Sequence, residues 1–274
     1  MYTVKQLTGF SGARIELIQP DTGSAFVRKW CDPTRNIERL SALGNLGIRT
    51  PRILRVEADH YDQEYIQGLD AASYLTQYSA GGLTSALGDL LDLLSSTAGS
   101  VVDYTSAYRE RLAFISGAEW RDQLPFSSEE LISRLPPQLP ASCYYGDLTL
   151  ENCLWDVRSG AWVWIDAQRI EYSSWAFDLA KLRQDITCGW FLRARSPGVC
   201  HALAGRIQSI ESALRERYGH YWHDSLLILM LLRVIKYTGP GTRERLFILE
   251  WIRRLWYIII PGCGFEQSFS RNAP

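Results

Sequence analysis

The hydrophobic period changes near residue 68, and this limits the chain to folds that join a small sheet to a larger helical part. Before the change, Ile15-Glu16-Leu17-Ile18 and Ala25 to Trp30 flank the turn Pro20-Asp21-Thr22-Gly23, which predicts a β-hairpin. Asp32-Pro33 then offers an N-cap and a proline for the first helical position, and Ile37, Leu40, Leu43 and Leu46 recur at helical spacing up to Gly47. Arg52 to Val56 and Gln63 to Ile66 predict two further strands. Beyond Gly68 the signal is helical. Leu83, Leu87, Leu90, Leu91 and Leu94 form one stripe, and Ser127 with Glu130 makes a capping box before Leu131, Ile132 and Leu135. Leu203, Ile207, Ile210 and Leu214 predict another helix, and Ser225 to Tyr237 and Thr242 to Ile260 two more, parted by Gly239-Pro240-Gly241. The expected class is α+β, with an antiparallel-sheet part over residues 1–67 and a mainly helical part over 68–274.

Composition narrows the function classes. Apolar residues make up 46% of the chain and charged residues 22%, so a core can be buried. The 29 basic and 30 acidic side chains give a net charge of -1, which supplies no overall field for nucleic acid or anionic lipid. Six scattered cysteines without a C-x-x-C pair read as small buried thiols. His220 and His223 lack the carboxylate or Cys partners that would make them a metal pair. The N-terminus has no apolar signal core, and the aliphatic run Leu226 to Leu232 falls far below the ~20 residues of a membrane span, so no membrane span and a cytoplasmic location are expected.

The chemistry is concentrated in Tyr144-Tyr145-Gly146-Asp147-Leu148-Thr149-Leu150-Glu151-Asn152, followed by two short strands that end at Ile165-Asp166. If the turn after Gly146 holds Asp147 and Asn152 on one side and the returning strand ends at Asp166, two carboxylates and one amide converge. Hard oxygen donors in that number suit Mg2+, which takes one or two carboxylates plus phosphate oxygens. Each residue alone is an ordinary turn residue; their order, spacing and strand context together make a phosphoryl-transfer constellation.

Gly146-Asp147, Asn152, Ile165-Asp166 and Asp178-Leu179-Ala180-Lys181-Leu182 together closely resemble the aminoglycoside phosphotransferase and choline kinase-like family, over most of the chain. The resemblance implies a bilobal protein kinase-like fold and ATP and Mg2+ as cofactors. It makes Asp147 the residue beside the acceptor hydroxyl, as base or orienting group, and Asn152 and Asp166 the holders of Mg2+. Asp178 is then a structural brace. Gly9, Ser11 and Gly12 match a phosphate-approaching turn, Lys29 the phosphate-binding lysine, and Glu38 the carboxylate expected to pair with it, with Glu57 near enough in sequence to compete. Glu64 and Ile66 fall where the family presents backbone groups to adenine. Many members carry His where this chain has Tyr145, which does not titrate near neutrality, so the expectation for Tyr145 is support of the metal loop.

For the acceptor, Gln168, Tyr172, Trp175, Arg183, Asp185 and Trp190 follow the metal aspartate, where the family builds its acceptor site; the aromatic rings there could stack on a sugar or embrace a cation, or equally be core. Basic Arg169, Lys181 and Arg183 argue mildly against a polycationic aminoglycoside. The expected reaction is transfer of the γ-phosphoryl group to a hydroxyl of a small molecule, a sugar or other metabolite before an aminoglycoside. The alternatives are a protein kinase, disfavoured by the short run from Asp166 to Asp178, and a non-catalytic nucleotide-binding pseudokinase.

Overall fold

Strand β1 (Tyr2–Leu7) opens the chain, and β2 (Arg14–Pro20) and β3 (Phe26–Trp30) form the hairpin that the alternation around Gly23 predicts. Helix α1 (Thr34–Asn45), β4 (Ile53–Val56), β5 (His60–Glu64), β6 (Gly68–Asp70) and α2 (Ala71–Gln77) follow. Next come α3 (Ala80–Ser96), β7 (Val101–Asp103), α4 (Thr105–Leu112), α5 (Ser128–Ile132) and β8 (Gln138–Pro140). The chain then forms β9 (Cys153–Asp156), β10 (Ala161–Trp164), α6 (Trp175–Ile186), α7 (Pro197–Tyr218), α8 (Asp224–Ile235) and α9 (Arg243–Ile259). The computed structural model describes residues 2–7 and 14–260.

These elements group into two compact units that do not follow chain order. Unit one holds Met1–Tyr78 with Tyr145–Ile170, and unit two holds Ser79–Tyr144 with Glu171–Pro274. The boundary expected at residue 67 falls inside unit one. There β6 pairs with β9, Leu69 opposite Trp155, and so carries residues 68–70 into a second sheet of order β10-β9-β6. Gly68 is what permits this approach, because a Cβ there would overlap the Trp155 carbonyl.

The main sheet of unit one is antiparallel, in the order β1-β2-β3-β5-β4. Strand β5 starts at His60 rather than at Gln63, because the polar letters of His60-Tyr61-Asp62 conceal a paired strand. Asp62 is buried but receives Arg28 from the neighbouring strand at 2.7 Å, while Tyr61 is fully buried. Helix α1 starts one residue later than the Asp32-Pro33 signal implies. Asp32 still accepts the Thr34 amide at 3.0 Å, but from outside the helix. In unit two the capping box is formed as its spacing predicts: Ser127 accepts from the Glu130 amide at 3.3 Å and Glu130 accepts from the Ser127 amide at 2.6 Å. Helix α8 is buried around almost its whole circumference and packs against α6 and α9, and α3 packs against α7. Among the described residues no helix is long and apolar enough to cross a membrane.

Asp156 closes the β9–β10 turn as a buried carboxylate. Burial alone would raise its pKa. The Ser159 hydroxyl at 2.8 Å, the Arg49 guanidinium and the Arg158 amide at 3.0 Å outweigh that and hold it at about 2. A folded-state pKa below the unfolded one gives stability that is present above about pH 4 and lost as pH falls through the folded value. Asp156→Asn is therefore expected to cost about 1–2 kcal/mol at pH 7 in chemical denaturation. The gap to wild type should narrow steadily below about pH 4; a gap independent of pH would show that the carboxylate's charge contributes nothing.

Candidate active site

The site begins with a backbone constraint. Gly146 has φ 96°, and a Cβ on it would run into the carbonyl of Gln168, so only glycine lets the two segments lie together. The chain then passes Asp147, half-buried, and enters a short 3₁₀ turn at Leu150–Asn152 that delivers Asn152 onto β9. The Asn152 side-chain amide donates to the Asp147 carbonyl at 2.9 Å and lies 3.4 Å from the Asp147 carboxylate. Pairing of β9 with β10 continues past the strand ends, where the Ile165 amide donates to the Asn152 carbonyl at 3.0 Å. Asp166 is the next residue. The three polar groups read from the sequence are thus set by one hairpin and the loop that leads into it.

Asp166 is also the one non-glycine residue with positive φ, 62°, among the described residues. Such a backbone costs about 1–3 kcal/mol unless its surroundings hold it, and it is found where a side chain must be aimed. Tyr145, fully buried, donates its hydroxyl to the Ile165 carbonyl just before Asp166, and its own carbonyl accepts the Gln168 amide at 3.2 Å. On the other side the Asn36 amide donates to the Ala167 carbonyl at 3.1 Å.

Lys29 lies opposite Ile15 and Tyr61 in the central strand of the main sheet, and its ammonium pairs with the Asp166 carboxylate. Burial pushes the Lys29 pKa down, to about 8, against a smaller upward pull from the nearby Cys31. Glu38, expected beside Lys29, is instead exposed and faces Arg169 at 3.5 Å; the correction follows from Asp166 having taken the lysine. Glu64, at the end of β5, is engaged by Arg52 at 3.3–3.5 Å, and Ile66 is buried. Gly9, Ser11 and Gly12 lie outside the described residues. Asp178 is buried in the first turn of α6.

The donor set fits Mg2+. Asp147, Asn152 and Asp166 carry hard oxygen donors, and a lysine ammonium already stands against Asp166 as a cation would. When bound, the ion would neutralise phosphate charge; Asn152 and Asp166 are the residues that would hold it.

The acceptor candidates stand otherwise. Gln168 belongs to unit one and is half-buried. Tyr172, Trp175, Arg183, Asp185 and Trp190 belong to unit two and are each at most 3% exposed. Tyr172 stacks on Phe177 at 4.3 Å between ring centres, and Trp175 meets Tyr221 edge-on at 4.7 Å. Arg183 lies 4.4 Å over the Trp222 ring and pairs with Asp224, and the Arg193 guanidinium covers Trp190 at 4.6 Å. These five are packed against neighbouring side chains of unit two and keep little free surface. Trp175 also borders a cavity of about 290 Å³ shared with Tyr218, Tyr221 and His220. Lys181 is buried and donates to Gln184, so of the three basic residues only Arg169 is exposed.

Nothing in the sequence marks Gln63 as a site residue. The Gln63 side-chain oxygen is buried with no hydrogen-bond partner, on the strand that neighbours Lys29. A lone amide among charged neighbours carries no motif; only the pairing register could have pointed to it.

The sheet of unit one, with its lysine, and the loop bearing Asp147, Asn152 and Asp166 define a kinase-like phosphotransferase fold. The chain belongs to the phosphotransferase enzyme family APH, whose model matches residues 3–222. An ethanolamine kinase of Plasmodium vivax is similar in structure at 12% identity and a TM-score of 0.56, over 94% of this chain and 83% of that one. A choline/ethanolamine kinase family protein from Mesorhizobium loti is similar at 15% identity and a TM-score of 0.55, over 94% and 88%. The structure of LicA in complex with AMP is similar at 17% identity and a TM-score of 0.53, over 92% of each chain. No curated protein matches the chain in sequence.

Gly146→Ala is expected to lower the thermal midpoint and cost about 2–4 kcal/mol, since it combines positive φ with a backbone clash. Gly160→Ala, also at positive φ but with its nearest atom 3.9 Å away on the Trp155 ring, should cost about 1 kcal/mol. Equal losses at the two positions would show that the approach to Gln168 imposes no constraint.

Proposed function

We propose that the protein is an ATP- and Mg2+-dependent phosphotransferase that moves the γ-phosphoryl group to a hydroxyl of a small molecule, a sugar or other metabolite in preference to an aminoglycoside. The observation that carries this reading is that Asp147 and Asn152 lie side by side on the loop into the β9–β10 hairpin, while Asp166 at the end of that hairpin pairs with Lys29. Family membership supports it, as does the AMP complex of LicA for an adenine nucleotide. The exposed Arg169 is the remaining charge that opposes a polycationic acceptor.

In this reading Lys29 binds the nucleotide phosphates, and Asn152 and Asp166 hold Mg2+. The Asn152 amide fixes the loop that carries Asp147, which orients the acceptor hydroxyl and takes its proton. A bond forms from the acceptor oxygen to the γ-phosphorus as the bond to the β-phosphate oxygen breaks, releasing ADP. Glu64 and Ile66 offer the chain segment for the adenine, and Tyr145 and Asp178 are supports. The functional lobes are residues 1–67 for the nucleotide and 68–274 for the rest, in a cytoplasmic enzyme.

The test is a screen of metabolite pools with γ-labelled ATP. Wild type should yield a labelled, Mg2+-dependent product, and Asp147→Asn and Asp166→Ala should each lose about 10²-fold or more in turnover while melting as cooperatively as wild type. Label transfer that survives Asp166→Ala would sink the assignment. Nucleotide binding without product from any pool would favour a non-catalytic module.

A further inference from the structure

We propose that Asn36, on the first turn of α1, is a positioning residue for the Asp166 carboxylate, acting through the backbone carbonyl of Ala167. The inference rests on the reading of Asp166 as a metal-holding group. Its starting point is the strained backbone: a residue at φ 62° keeps its side chain aimed only if the peptides on both sides are held. Four hydrogen bonds do this. The Ile165 amide donates to Asn152, the Ile165 carbonyl accepts the Tyr145 hydroxyl, the Gln168 amide donates to the Tyr145 carbonyl, and the Ala167 carbonyl accepts the Asn36 amide.

Three of these bonds come from residues 145–152, the loop that itself carries Asp147 and Asn152. Those bonds fix the segment to that loop but not to the main sheet part of unit one. The fourth comes from a residue 131 positions away in sequence, on the helix that follows the Lys29 strand. Helix α1 also offers Glu38 to Arg169 at 3.5 Å, and both side chains there are more than half exposed. An exposed pair of that length contributes little, so it holds the segment of the metal aspartate less firmly than Asn36 does. Its amide donor is neutral, short and half-buried, and it fixes the peptide whose turn sets where the Asp166 carboxylate points. Groups that orient a metal ligand from behind typically govern metal affinity 10–100-fold, by about as much as some ligands do.

The experiment uses the full chain, Mn2+ as the probe ion and a non-hydrolysable ATP analogue, with no acceptor present, and reads bound Mn2+ by the loss of its free EPR signal. Asn36→Leu removes the donor while replacing Asn with a better helix former, so α1 is not weakened. It should weaken Mn2+ binding roughly 10-fold or more, with unchanged thermal midpoint and unchanged affinity for the analogue without metal. Asn36→Gln, which keeps an amide donor, should stay close to wild type. Wild-type Mn2+ affinity in Asn36→Leu overturns the proposal, and so does Asn36→Gln as weak as Asn36→Leu, because packing rather than the donor would then be the cause. Phosphoryl transfer is assayed separately on the same preparations. A wild type that binds Mn2+ with the analogue yet transfers nothing overturns the activity reading and leaves the Asn36 result intact.

Discussion

The hydrogen bond from the Ile165 amide to the Asn152 carbonyl, one step beyond the paired ends of β9 and β10, sets the spacing on which the polar groups of unit one depend. It places Asn152 opposite the residue that precedes Asp166, so a ladder contact sets how far apart the two polar residues lie. From that point the remaining constraints follow in sequence. Asp166 must turn into the left-handed region to leave the strand, Tyr145 must reach the Ile165 carbonyl, and Gly146 must lack a side chain for the Gln168 peptide to lie against it. Lys29 completes the arrangement electrostatically. An ammonium driven down in pKa by burial and the Asp166 carboxylate satisfy each other.

The hairpin around Gly23, the capping box at Ser127 and the helices over α3, α7, α8 and α9 were legible because each has a local cause that the sequence displays: a turn residue, a cap, or a stripe at one period. Helix α6 was not legible as a helix. All twelve of its residues, including Lys181, Arg183, Gln184 and Asp185, are buried, so no polar face alternates with an apolar one to mark the period. Strand β5 was hidden for a related reason, since Asp62 is neutralised by an arginine on another strand, and only pairing discloses that. At the site, Asp147, Asn152 and Asp166 were readable from order and spacing. The partner of Lys29 was not, because Glu38 and Glu57 both lie near enough in sequence to compete, and the fold gives the lysine to Asp166 instead.

The aromatic rings of unit two pack mainly against one another. Tyr104, Tyr108, Tyr172 and Phe177 contact one another edge-on or stacked, and Trp175, Tyr218 and Tyr221 form a second group. Rings of that size let a helical unit fill its interior around buried charges, as the Trp222 ring does for Arg183, whose guanidinium also meets Asp224. Removing Asp224 would strand a buried cation, which is strongly destabilising.

The pairing of β6 with β9 joins residues 68–70 to residues 154–156 and makes unit one discontinuous along the chain. During synthesis, the five-stranded sheet can assemble once its last strand emerges, but its second sheet waits for more than half of the polypeptide. A nascent chain ending before residue 145 carries Lys29 without the loop that it faces. The order in which the ribosome releases the segments therefore delays the meeting of lysine and aspartate until the whole of unit two's first segment, Ser79–Tyr144, has been made.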